Sequence, residues 1–122
     1  MEPEMAMKVS SVMGLGYAAQ MGLASGTFHP IYFDEAKSSH NLEMSQWFGQ
    51  ALAGQALGQL AAAKKPTKRA MRAAAATWLS APLVMAVQCK QGKFKKSMAL
   101  ANGALCAAMG GLVLHASNKC DD

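Results

Sequence analysis

The sequence predicts an all-α chain: an integral membrane bundle of four transmembrane helices joined by short loops, one domain over residues 1–122. Three observations carry that expectation. First, Ile31 is the only isoleucine in a chain that is 52% apolar, and strands favour the β-branched residues that are scarce here. Ala, Met, Leu, Gln and Lys, which abound, are strong helix formers. Second, the charges are clustered. Lys64, Lys65, Lys68, Arg69 and Arg72 lie together, as do Lys90, Lys93, Lys95 and Lys96, whereas a soluble amphipathic helix carries charge on every turn or two. Third, the stretches between the clusters are each close to the ~20 residues a helix needs to cross the hydrocarbon core. The mean hydropathy of +0.09 averages over this segregation.

The first segment, residues 7–26, is "MKVSSVMGLGYAAQMGLASG", with Lys8 as its only charge. Pro30 and the polar run "DEAKSSHN" are expected to end it and form a loop. The second, residues 42–63, is charged only at Glu43 and stops before "KKPTKR", where Pro66 breaks the helix. The third, residues 70–88, has Arg72 at its edge and Pro82 inside; membrane helices tolerate a kinking proline better than soluble ones. The basic turn "CKQGKFKK" leads to the fourth, residues 97–117, "SMALANGALCAAMGGLVLHAS", which has no charged residue. Lys8, Arg72 and Lys96 sit where they could snorkel to headgroups. Trp47, near a segment end, fits an interfacial anchor, and Trp78, nearer a middle, fits a packing role. The competing architecture is a soluble helical bundle with an Ala-rich core. Gln50, Gln55 and Gln59 favour it, because three amides in one lipid span are costly.

Each segment carries small residues at every fourth position: Gly14, Ala18 and Gly22 in the first, Gly54 and Gly58 in the second, Ala73, Thr77 and Ala81 in the third, and Gly103, Ala107 and Gly111 in the fourth. Such stripes let helix backbones approach closely in lipid. A chain this rich in Ala and Gly also produces them by chance. Four spans put both termini on one side, with Lys8, the Lys64–Arg72 cluster and Lys119, opposite Lys37 and the Lys90–Lys96 cluster. That is a weak bias under the positive-inside rule.

The start "MEPEMAMK" has neither a basic, apolar signal pattern nor an Arg-rich transit pattern, so no cleaved targeting segment is expected. Cys89, Cys106 and Cys120 have no CxxC spacing and suggest neither a disulfide framework nor a zinc site; Cys106 reads as a small apolar filler. His29 and His40, with Asp34 and Glu35, offer metal-ligand types without metal-ligand spacing, and a solvated loop is expected there. His115 at the end of the fourth segment is either an interfacial histidine or an axial ligand for a tetrapyrrole metal. Asn102, Gln50 and Gln55, with Gln20 and Gln59, are either interhelical hydrogen-bonding groups or oxygen ligands for a magnesium tetrapyrrole. The structural role is preferred for the amides.

No nucleophile has a base in its segment and no pair of carboxylates lies deep in a span, so an enzyme is not expected. The expectation is a structural accessory subunit of a large membrane complex, most readily a bridge between reaction centre and antenna in a thylakoid photosystem, with chlorophyll or carotenoid as the implied cofactor. Its partners would be other membrane subunits and the lipid bilayer, with no nucleic acid and no small-molecule substrate. The alternatives are an accessory subunit of a respiratory or ATP synthase complex in the mitochondrial inner membrane and an endomembrane scaffold. A small transporter using the amides as a polar path ranks lower, because Gln50 to Gln59 spread over a wide arc at ~100° per residue.

Overall fold

A computed structural model describes residues 1–34 and 39–121, with the side chains of residues 39 and 40 left out. Five helices follow in order: α1 (Pro3–Leu23), α2 (Ser25–Tyr32), α3 (Ser39–Ala62), α4 (Lys68–Lys90) and α5 (Lys96–Ser117). Among the described residues there is no strand, only an isolated antiparallel bridge between Phe33 and Phe94. The all-α expectation holds, with one helix more than expected.

Local chemistry sets the boundaries. Pro3 stands in the first turn of α1, where its missing N–H costs nothing, and Glu4 pairs with Lys8 one turn on at 2.8 Å. The Lys8 ammonium holds the Glu4 carboxyl below its ordinary range. Ala24, at φ −127° and ψ 37°, breaks the first segment, so α2 occupies the region expected to be loop. Pro30 lies inside α2 rather than ending it. The "KKPTKR" turn starts α4 with Thr67, whose side chain accepts from the Ala70 N–H at 3.1 Å. Removing such an N-cap typically costs ~1 kcal/mol. Thr67→Ala is therefore expected to destabilise the protein by about 1 kcal/mol, read from the unfolding midpoint. α4 ends in a Schellman motif: Gly92 N–H donates to Cys89 O at 3.0 Å and Lys93 N–H to Gln88 O at 2.9 Å. That motif puts Gly92 at φ +77°, the left-handed region that favours glycine.

The helices form two antiparallel hairpins, α1 with α3 and α4 with α5, which pack far more extensively within each pair than between pairs. Buried and half-buried positions recur at steps of three and four: Met7, Ser11, Gly14, Ala18 and Met21 in α1; Ser45, Gly49, Leu52, Ala56, Gln59 and Ala63 along α3; Met71, Ala75, Trp78, Pro82 and Met85 in α4; Gly103, Cys106, Gly110, Val113 and Ser117 in α5. An average step of 3.5 keeps a seam facing its partner along the helix. The strict fourth-residue stripes rotate by ~40° at each step, and this separates expectation from outcome. Gly14, Ala18 and Gly103 are buried, and Gly22 is half-buried against Gly49. Gly54, Gly58, Ala107 and Gly111 are exposed, and the three glycines have open space around them.

Two helices, α4 and α5, are long and apolar enough to cross a membrane. The expectation of four spans is thereby corrected. α1 and α3 have the length, but Ser10, Ser11, Tyr17 and Gln20 in one and Ser45, Gln46, Gln50, Gln55 and Gln59 in the other lower their apolarity. The charged clusters do gather at the two ends of the bundle. Lys119 reaches Glu2 at 3.2 Å, and Ala6, Ala63, Met71 and Cys120 share one core cluster, so both termini lie beside the "KKPTKR" turn. At the other end Lys95 N–H donates to Tyr32 O at 2.9 Å, which ties α2 to the lysine-rich α4–α5 turn.

Candidate functional site

Small and polar side chains make the interior. Ser10 and Ser11 are fully buried, as are Met7, Met71, Val113 and Ser117. Among the described residues no leucine is buried. Leu83 and Leu100 on α4 and α5 are 69% and 66% exposed. Most leucines thus point outward, while Trp78, Phe28, Tyr32 and Phe94 are buried. Neither α1, α3 nor α5 sets a polar face against an apolar one.

Hydrogen bonds join the hairpins where small residues bring them close. The Trp78 indole N–H donates to Ser10 Oγ at 2.7 Å, and the Ser10 hydroxyl donates to Gln59 Oε1 at 2.6 Å. One serine therefore links α4, α1 and α3. The Tyr17 hydroxyl donates to Asn102 Oδ1 at 2.6 Å, and Asn102 Nδ2 donates back to Met98 O at 3.0 Å, joining α1 to α5. Gln55 Nε2 donates to Thr77 Oγ1 at 2.9 Å, joining α3 to α4. Tyr32 donates to Gln20 Oε1 at 2.8 Å, and burial holds the Tyr32 phenol above its ordinary range. Among the described residues no buried side-chain polar atom lacks a partner.

Between α3 and α4 the hairpins leave a cleft of about 330 Å³, at the small end of the ~300–1,000 Å³ usual for ligand sites. Leu52, Ala56, Ala81, Val84 and Met85 line its walls, and the Gln55–Thr77 bond bridges them. Trp78, Tyr17 and Cys106 lie at its back. Phe28, Tyr32, Phe33 and Phe94 close the end beside the α4–α5 turn. Phe33 and Phe94 meet edge to face with centroids 5.0 Å apart. A shallower groove on the other side, between α1 and α3, is lined by Gly22, Gly49 and Gln50.

The tentative pigment ligands do not come together. Asn102 is buried and its oxygen accepts from Tyr17, which bonds α5 to α1. Gln55 lines the cleft, Gln50 is exposed beside the opposite groove, and His115 is exposed on α5. Gln50 thus lies away from Gln55 and Gln59, which line the cleft. His29 is not in a solvated loop: it is 5% exposed within α2 and stacks on Phe33 at 5.1 Å. Glu35 and the side chain of His40 lie outside the described residues. Among the described residues no three His, Cys, Asp or Glu side chains gather as a metal site requires. Trp78 packs internally and Trp47 is 66% exposed near the start of α3.

Ser10, Tyr17, Gly49 and Gly110 form these contacts without a marked sequence signal. A 3–4 spacing through Gly103, Cys106, Gly110 and Val113 was available to find Gly110. Nothing local marks Ser10 as the acceptor for an indole 68 residues away. Tyr17→Phe removes the α1–α5 bond and leaves Asn102 Oδ1 without its donor, so a loss of about 1–2 kcal/mol is expected, measured by denaturant unfolding.

Compared with known proteins, the chain matches no family model, no curated protein sequence and no solved structure at a significant level.

Proposed function

We propose that this protein is a non-enzymatic structural subunit of a larger membrane protein assembly. The observation that carries the reading is the placement of the leucines, most of them exposed and none among the described residues buried, over an interior of small residues, methionines and a few aromatic rings. Exposed apolar side chains run along both helices of the α4–α5 hairpin, Leu79, Leu83, Val84 and Val87 on one and Leu100, Leu105 and Leu114 on the other, and a large exposed apolar surface marks a partner or a membrane. In a bilayer it is the ordinary arrangement, because lipid tails are as apolar as leucine and helices associate through close packing and hydrogen bonds. The α4–α5 hairpin would carry the chain into the membrane, and α5, at ~1.5 Å per residue, has the length for it. α1 and α3 would dock on that hairpin through Ser10, Tyr17 and Gln55, each of which has its partner within the chain. The exposed aromatic pair Trp47 and Phe48 supplies a surface for a neighbouring subunit or the membrane interface.

A photosystem bridge is the finer setting, and what supports it is ligand atoms on the outer faces: the His115 imidazole and the Gln50 amide, both exposed. A pigment held there would lie between this chain and a neighbour. Mild solubilisation of native membranes, capture of the protein, and the mass and absorption spectrum of what comes with it test both levels. The expected result is release only with detergent, in a particle far heavier than 12.8 kDa. Chlorophyll absorption in that particle favours the photosystem, and a colourless one a respiratory complex or an endomembrane scaffold. Recovery as a free monomer without detergent overturns the reading.

A further inference from the structure

We propose that the cleft between α3 and α4 holds one acyl chain of an anionic membrane lipid, its headgroup at the Lys90–Lys96 turn; this rests on the membrane reading above. Three features define the occupant. The walls are almost wholly apolar, so a hydrocarbon fits and a polar solute does not. On α4 the lining residues run from Thr77 to Gln88 at helical spacing, about 16 Å at ~1.5 Å per residue. That is the depth of one leaflet, half of the ~30 Å hydrocarbon core. The third feature is charge. Phe94, which closes the outer end, stands between exposed Lys93 and half-buried Lys95, with Lys90 and Lys96 exposed on either side. Juxtamembrane lysines attract anionic headgroups. A chain laid into the cleft from its open side between α3 and α4 would run from beneath Phe94 to the Trp78 ring near the bilayer midplane, while its headgroup stayed among the lysines. The carboxylate of Asp34 is exposed on the same end, its N–H bonded to Lys93 O, and leaves the four lysines in excess.

The protein carries its own reporter. Trp78 faces the cleft, and Trp47, the other tryptophan, is exposed on the outside of α3. In the full chain carrying Trp47→Phe, emission comes from Trp78 alone; the difference from the wild type gives Trp47. Vesicles are made of phosphatidylcholine doped with phosphatidylglycerol or phosphatidylcholine bearing brominated acyl chains, which quench indole on contact. The expected result is quenching of Trp78 at a several-fold lower mole fraction of brominated phosphatidylglycerol than of brominated phosphatidylcholine. Ala81→Phe fills the cleft and is expected to abolish that quenching without altering the quenching of Trp47. Quenching of Trp47 with none at Trp78 overturns the cleft proposal and leaves the membrane reading standing. Equal quenching by the two headgroups, or quenching of Trp78 that survives Ala81→Phe, also overturns it. Absence of quenching at both tryptophans overturns the membrane reading itself.

Discussion

Gly49→Leu is expected to separate α1 from α3 and abolish the folded state. A Cβ at Gly49 would lie 2.7 Å from Gly22 N and 3.0 Å from both Ala18 O and Gly22 Cα. All three are backbone atoms of α1, so no side-chain rotation can relieve the clash. Even Gly49→Ala forces the helices apart and is expected to cost about 1–3 kcal/mol, the usual price of overpacking. Gly54 and Gly58 lie on the same helix with nothing near their missing Cβ atoms. Alanine there is expected to be neutral or stabilising by up to ~1 kcal/mol, because glycine loses more chain entropy than alanine in a helix. Denaturant unfolding in detergent micelles compares the three alanine variants directly. A Gly49 variant with the wild-type midpoint would contradict the α1–α3 packing.

Ser10→Ala is expected to cost about 2–3 kcal/mol, well above an ordinary exposed serine substitution, since a buried donor left unsatisfied costs ~1–3 kcal/mol. The Ser10 side chain is 1% exposed and lies between two partners, accepting from the Trp78 indole and donating to Gln59. Its removal leaves the indole N–H without its acceptor, facing an almost wholly apolar cleft. The Gln59 amide, half-buried, can turn toward the cleft and recover part of its loss. A double-mutant cycle with Trp78→Phe isolates the indole's share, because phenylalanine has no N–H to strand. Coupling of 0.5 kcal/mol or more is expected for residues in one network. Strict additivity of the two substitutions would contradict the bond.

The helices were legible in the sequence because their boundaries have local chemistry. Pro66 with Thr67 before α4 and "QG" after it mark ends that need no distant partner, and the segments 42–63, 70–88 and 97–117 lie close to α3, α4 and α5. The break at Ala24 was not legible. Nothing in "GLASG" separates a helix that continues from one that restarts, and Pro30 reads as a terminator although α2 accommodates it. The small-residue stripes were half legible. Their composition was right, but reading every fourth residue turns off the contact face, so Gly54, Gly58 and Gly111 took the places of Gly49 and Gly110. Gly110 is packed more closely on α4 than Gly103 is: a Cβ there would meet Leu79 Cγ at 2.6 Å and Ala75 O at 3.2 Å. The cleft and the Ser10 relay depend on where three helices meet, which no single segment records. The number of spans was overstated for a related reason. Absence of charge alone does not make a segment apolar: Ser10 and Gln20 in α1 and Gln55 and Gln59 in α3 are polar groups bonded within the bundle, and Gln46 and Gln50 are exposed.

The outward leucines of α4 and α5 are expected to face lipid. Leu105, 51% exposed at the middle of α5, is the most direct place to ask. Leu105→Cys, in a chain whose Cys89, Cys106 and Cys120 are changed to alanine, takes a nitroxide label, and the purified protein is reconstituted in vesicles. Lipid-soluble oxygen is expected to relax the label strongly and an aqueous nickel chelate weakly. The reverse order, with the nickel chelate reaching Leu105 as readily as it reaches a label at Lys119, would place that face in water and contradict the account.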